Sequence, residues 1–436
     1  MTMKATVNPG EVHAPKTLRP HWLLGIARIL RRFAWMMLAL PLTAQAQFQY
    51  IVTGGSITLT GYACTAGALN IPSTIDGLPV TAIGSGVFLN CSNLTKVTIP
   101  SGVTHIGPSA FYGCTRLGAI EVDAVNPAYS SVDGVLFDHA RTTLLQYPGA
   151  KSGSYAIPGS VTAIGDYAFF GCRDLTGVTI GDGVTNVGNH AFSGCRRLTG
   201  IPIPNGVTTI GDHAFQACSG LKSILLPSGV TRIGEYTLAG CRALTSVIVP
   251  EGATHIGRAA FSGCHSLTSV RIPNAVTSIG LGAFFGCSGL ASVTIGTGVT
   301  SIGDIAFNHC TGLINVHFQG NAPPAPVALF DPAARVSVYY LPGTTGWDLG
   351  YAGRPTALWS SPLIHGNGPG PGVGAAGFGF LISWAPDATV VVEACTDLTN
   401  PVWLSFSTNT LSGGTAALSD PQWAEHPTRF YRARTP

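Results

Sequence analysis

Nine cysteines recur at one interval along the chain. Cys91, Cys114, Cys172, Cys195, Cys218, Cys241, Cys264, Cys287 and Cys310 are each 23 residues from the next, with one exception. Between Cys114 and Cys172 the distance is 58 residues, which is two repeats and a 12-residue insertion. Every copy has Gly seven residues before the cysteine (Gly84 to Gly303) and Leu three residues after it (Leu94 to Leu313). Phe stands three residues before it in all copies but one, where Leu238 takes the place. A unit this short cannot bury its apolar face alone. It must stack on its neighbours, so the fold class is a repeat solenoid.

Each repeat can be taken apart physically. After Cys287 come Leu290, Val293 and Ile295, the last two spaced as in a strand with one face inward. Pro273 and Gly296 end such strands. A second apolar set, Val276, Ile279, Ala283 and Phe284, has spacings of three and four and predicts a short helical turn. The Gly before that turn marks a position of positive φ or of close backbone approach. Asp166, Asn189, Asp212, Glu235 and Asp304 follow that Gly and are expected to cap the helical start.

The Leu-x-x-Val-x-Ile pattern within this period matches the leucine-rich repeat signature. Together with the Gly-Cys and Ala-Phe elements, it closely resembles the BspA-like leucine-rich repeat family of bacterial surface and secreted proteins, over roughly residues 50–360. Tyr50–Tyr62 with Ile71–Gly84 looks like that family's N-terminal cap, Asn126–Lys151 like its hairpin-bearing variant repeat, and Tyr339–Trp359 like its closing segment. The resemblance implies adhesion or binding at the bacterial exterior. The expected layout is a signal peptide (1–46), a cap (47–84), leucine-rich repeats (85–318, hairpin insertion at about 124–151) and a closing segment (319–360). A Gly/Pro-rich linker (361–377) and a small all-β module (378–436) follow. That module loosely resembles small modules on secreted proteins of Verrucomicrobia and Planctomycetes, and at its size is expected to lean on the array or on another module.

The cysteine column is flanked by Phe and Leu core positions. Parallel rungs about 4.8 Å apart would bring neighbouring cysteines within disulfide range, but side chains in one column point the same way. All nine are therefore read as a ladder of buried thiols acting as small apolar residues. With 11 cysteines in all, at least one cannot pair within the chain, and the pairing of Cys64 and Cys395 is left open.

Only 10% of the residues are charged, against about 25% in an ordinary soluble domain. The net charge of +3 rests on Lys4, Lys16, Arg19, Arg28, Arg31 and Arg32, so the remainder is nearly neutral and nothing favours nucleic acid. Those cations precede the apolar run in Phe33–Gln47 and the Ala44-Gln45-Ala46 motif, which predict a secretory signal cleaved before Gln47. The Arg31-Arg32 pair raises twin-arginine export, against which Leu30 stands where Ser or Thr is favoured. No other run is long enough for a membrane helix, so the mature chain is expected to be secreted or held at the cell surface without a membrane span.

For chemistry there is little. Gly372–Gly377 spells a G-x-G-x-x-G, but no strand leads into it, so no dinucleotide site is expected. His190 and His213, one rung apart with Asn189 and Asp212 beside them, lack an obvious third metal ligand because Tyr167 and Tyr236 are the next in their column. Arg116, Arg173, Arg196, Arg197 and Arg242 line one edge and suit either an acidic ligand or turn ends. No catalytic residue, cofactor or metal is expected. The candidate binding residues are outward strand positions, five and seven after the cysteines: Ser223, Leu225, Ser246, Ile248, Ser269, Arg271, Ser292 and Thr294. A rigid, weakly charged face of this kind suits a protein or glycan ligand at the cell exterior. A structural envelope or matrix component without a discrete ligand is the alternative.

Overall fold

The computed structural model describes residues 47–436 except 66, 332–334, 361, 366–377, 386, 398–400 and 421–428. The predicted signal peptide thus lies outside the described residues, as does the predicted linker apart from Pro362–His365. The chain is a β-solenoid whose rungs stack in parallel register, 23 residues per turn in the regular part. One wall carries the longer strands, such as Ser223–Leu225 on Ser246–Ile248, and Ser269–Ile272 on Ser292–Ile295 on Asn315–Phe318. A second wall is a ladder of two-residue strands, from Ala163–Ile164 through Asn186–Val187 to Ser301–Ile302. The N-terminal end is closed by a hairpin, Phe48–Thr53 on Ser56–Tyr62, which pairs in parallel with Leu78–Ile83.

The expected helical turn is not there. Among the described residues no α-helix occurs, and Ile279 lies in a two-residue strand instead. The reason is in the hydrogen bonds. Along the segment before the cysteine in the regular rungs, amides alternate between an i−3 turn closure and a bond to the next rung: Phe285 N–H donates to Gly282 O, whereas Phe284 N–H donates to Ala306 O. Backbone at φ +49° to +60° two residues after the repeat Gly, as at His190, His213 and Ala259, also breaks any helix. The cap role changes accordingly. Asp166 Oδ1 accepts from Asn189 N–H at 2.6 Å, Asn189 Oδ1 from Asp212 N–H at 2.9 Å and Asp212 Oδ1 from Glu235 N–H at 2.7 Å, so these side chains tie one rung to the next.

The repeat Gly has negative φ, and its reason is close approach. A Cβ on Gly257 would lie within 2.8 Å of the backbone of Gly234 and Glu235. Gly257→Ala should therefore cost about 1–3 kcal/mol through forced backbone shifts. Gly181→Ala, with nothing within 4 Å of the added carbon, should stay within about 0.5 kcal/mol in the same denaturant titration.

Inside, the Phe column forms a stack interrupted at the insertion, after Phe111, and at Leu238. Phe169–Phe192 and Phe192–Phe215 centroids are 4.8 and 5.4 Å apart, and Phe261–Phe284 5.0 Å. The cysteines beside it are buried free thiols from Cys114 to Cys310. Each donates to a carbonyl of the preceding rung, as Cys218 does to Phe192 O at 3.1 Å and Cys195 to Phe169 O at 3.2 Å. Burial pushes the Cys218 thiol up to about 12 and Cys195 well above the ordinary range. Cys91 departs from the expectation. It is disulfide-bonded to Cys64, because the cap offers a sulfur from a different segment rather than from the same-facing column.

The buried core divides at the insertion, one cluster running from Phe48 to Leu136 and the other from Val135 to Tyr351. After Trp359, strands Phe378–Ser383 and Thr415–Asp420 pair antiparallel, as do Thr389–Cys395 with Leu404–Thr410 and Phe430–Arg434. Ile382, Val390, Val392 and Leu411 form their own small core.

Candidate binding face

The long-strand wall places the candidate residues where the period-two rule puts them, with Val247, Val270 and Val293 inward between them. Leu225 pairs in register with Ile248, and Ser223 with Ser246. Leu225 is 60% exposed and Ile248 half-buried, so two apolar side chains sit side by side at the surface. Ser223 is exposed, and Ser246, Ser269 and Ser292 are half-buried, in one column.

The other end of the same wall is covered, which corrects the expectation of a uniformly open face. Thr294 is 0% exposed, and His317, next in its column, is buried beneath Tyr339 and Trp359 at ring distances of 4.9 and 4.8 Å. Trp384 Nε1–H donates to Trp359 O at 3.2 Å, Gln319 Nε2 donates to Trp384 O at 3.0 Å, and Asn274 Nδ2 donates to Gly413 O at 2.6 Å. The C-terminal strands thus lie against the last rungs. Arg271 stands at the boundary: its side chain is only 10% exposed and is ion-paired with Glu251. Thr294 therefore cannot touch a ligand in this arrangement, and Arg271 is largely engaged within the chain. The open part of the wall runs from Glu121 through Thr179 and Pro202 to Leu225.

His190 and His213 are brought together but not as metal ligands. Their rings stack face to face at 4.2 Å, between Tyr167 and Tyr236 at 4.7 Å on either side. Stacked rings direct their nitrogens sideways, and His213 Nδ1 meets Gln216 Oε1 at 3.1 Å. Burial, with His213 alongside, lowers the pKa of His190. Among the described residues no group of three metal-ligating side chains converges. The arginine edge is exposed at all five positions, and Arg197 pairs with Asp174 at 3.5 Å.

The surface also carries a feature that the repeat pattern does not specify. At the insertion, the rung between Cys114 and Cys172 has no Phe-x-x-Cys turn; Gln146, Tyr147 and Gly149 take a shorter path. Two recesses result, of about 260 and 310 Å3, meeting at Phe111 and Gln146. The absence of the turn in that one unit was the available signal.

A model of the BspA type leucine rich repeat region, present in six copies, matches residues 60–134, 147–267 and 232–331. Among solved structures, the chain is similar to a leucine rich cell surface protein from Faecalibacterium prausnitzii, at 27% identity over 64% of this chain and 95% of that one, with a TM-score of 0.35. It is similar to a leucine rich repeat protein of T. pallidum at 28% identity, covering 57% of this chain and 90% of that one (TM-score 0.30). A leucine-rich repeat protein from Eubacterium ventriosum matches at 25% identity over 55% and 93% (TM-score 0.35). No curated protein matches.

Proposed function

The chain belongs to the BspA-type leucine-rich repeat family, and from that premise we propose that it is an exported, non-enzymatic recognition scaffold that binds a protein or a surface glycan through the open part of its long-strand wall. Membership supports a repeat-based binding or adhesion scaffold in general. The N-terminal sequence supports export, and among the described residues no helix is long and apolar enough to cross a membrane. The observation that carries the site assignment is the pair of exposed Leu225 and half-buried Ile248, in register on adjacent strands at the end of the open part and bordered by Ser223 and Ser246. An apolar centre with a polar surround is the arrangement of an interface hot spot.

The pair can be removed without touching the core. Leu225→Ser with Ile248→Ser should leave stability within about 1 kcal/mol and weaken ligand binding by at least about 2 kcal/mol. Arg196→Ser with Arg197→Ser, on the exposed edge, serves as control and should leave binding unchanged. Loss of binding in the arginine pair with none in the apolar pair would move the site to the edge and make the ligand acidic.

A further inference from the structure

In each regular rung the segment before the cysteine sends three amides to the next rung. Tyr167, Phe169 and Gly171 donate to Asn189, Ala191 and Ser193 carbonyls, at 2.9, 2.7 and 2.8 Å. The equivalent amides of Ser109, Phe111 and Gly113 have no such partner, because the rung they face lacks its turn. Across the gap, the carbonyls that would accept from that turn belong to Asp166, Ala168 and Phe170. Of these only Ala168 is taken, by Tyr147 N–H at 2.7 Å. The gap therefore has a wall of donors and a wall of acceptors. Two rung spacings, about 9.6 Å, separate such walls; Gln146 and Tyr147 cross the middle of that space, with the Tyr147 ring stacked on Phe169 at 5.0 Å, and a recess remains on either side of them. Tyr112 stacks on Phe170 at 4.1 Å, and both line the recess at the Gly113 end.

We propose that this gap is a peptide-binding slot, which takes a turn-shaped backbone segment of a partner protein in place of the missing turn. A polypeptide running in the direction of the rungs and passing outside Gln146 presents carbonyls to Ser109 and Gly113 and amides to Asp166 and Phe170. Backbone pairing at an unfilled edge is a known mode of peptide recognition. A sugar's hydroxyls can bond to either wall, but they lack the fixed repeat of carbonyl on one side and amide on the other that a polypeptide backbone carries. Seating the segment requires the Tyr112 ring to swing outward. The slot is remote from Leu225 and Ile248 in the stack, so its fate does not depend on the long-strand wall.

The probe is a synthetic peptide with the array's own turn sequence, residues 188–194 (GNHAFSG), and its form N-methylated at the residues matching His190 and Gly194. Those two amides would face Asp166 and Phe170. In the free protein, the amides of Ser109, Phe111 and Gly113 should exchange with deuterium at least 100-fold faster than those of Tyr167, Phe169 and Gly171. Peptide should slow those of Ser109 and Gly113, and N-methylation should weaken binding at least tenfold. Ser109→Tyr should abolish binding without unfolding the array, since the same column holds Tyr167 and Tyr236 at φ +60° and +52° against +56° for Ser109. Three results would each overturn the slot. One is slow exchange of the three amides in the free protein, and another is equal affinity for the methylated peptide. The third is binding of cellotetraose or chitotetraose, but not of the peptide, in a manner blocked by Ser109→Tyr, which would make it a glycan site.

Discussion

Cys218→Asp should unfold its part of the array, losing at least about 3 kcal/mol of stability, whereas Cys218→Ala should lose about 1 kcal/mol. The thiol is fully buried, donates to one carbonyl of the rung before it, and is held neutral by its surroundings. An aspartate there has two poor choices: to remain charged without a partner or to take up a proton at neutral pH. Its folded-state pKa would be raised above the unfolded value of about 3.9. Between those two values the folded form binds the extra proton, so stability falls as pH rises. The deficit should therefore shrink as the pH is lowered toward about 4. Denaturant midpoints of the two variants at neutral and acidic pH check both the size and the sign. An Asp variant within about 1 kcal/mol of the parent at pH 7 would mean the column admits water.

Phe192→Ala should cost about 3–5 kcal/mol. The ring is fully buried between Phe169 and Phe215, at 4.8 and 5.4 Å, so truncation leaves a void bordered by two further rings. Stacked rungs cannot close such a void without shortening the solenoid locally, and their backbone bonds oppose that. Phe192→Leu should cost far less, about 1 kcal/mol, because the stack already accommodates Leu238 at the equivalent position. Equal losses for Ala and Leu would show that ring stacking rather than volume holds the column together.

The inward half of this fold was legible in the sequence because burial repeats. Phe192, Cys195, Leu198 and their equivalents recur at fixed positions, and a stack can satisfy that pattern only by superimposing them. What did not repeat was not legible. Cys91 shares every local feature of its column, and nothing in its own repeat distinguishes it from Cys218; the sulfur of Cys64 comes from the cap. The i, i+3, i+4 spacing of Val276, Ile279, Ala283 and Phe284 fits a helix equally well. The positive φ two residues after the repeat Gly decides against it, and that position carries Tyr, His or Ala as readily as Gly.

The site divides in the same way. Alternation along each strand placed Leu225 and Ile248 outward, and they are. Alternation also placed Thr294 outward, which is true of its direction and false of its exposure. The covering residues, Trp359, Trp384 and the Gly413–Gly414 turn, come from 65 to 120 residues later in the chain. Contacts of that range leave no periodic trace. They confine any ligand on this wall to the rungs before Arg271, and leave the arginine edge open on the side.

Whether the array is a binding scaffold is decided by a binding isotherm of the chain from Gln47 onward on immobilised cell-surface material. Protein and glycan fractions are presented separately, with the Leu225→Ser/Ile248→Ser chain run in parallel. A scaffold with a discrete ligand binds saturably to one fraction, competed by unlabelled chain and at least about 30-fold weaker for the double variant, the equivalent of about 2 kcal/mol. Linear, uncompeted retention that is identical for parent and variant on both fractions would contradict a scaffold role and leave a structural envelope component without a discrete ligand.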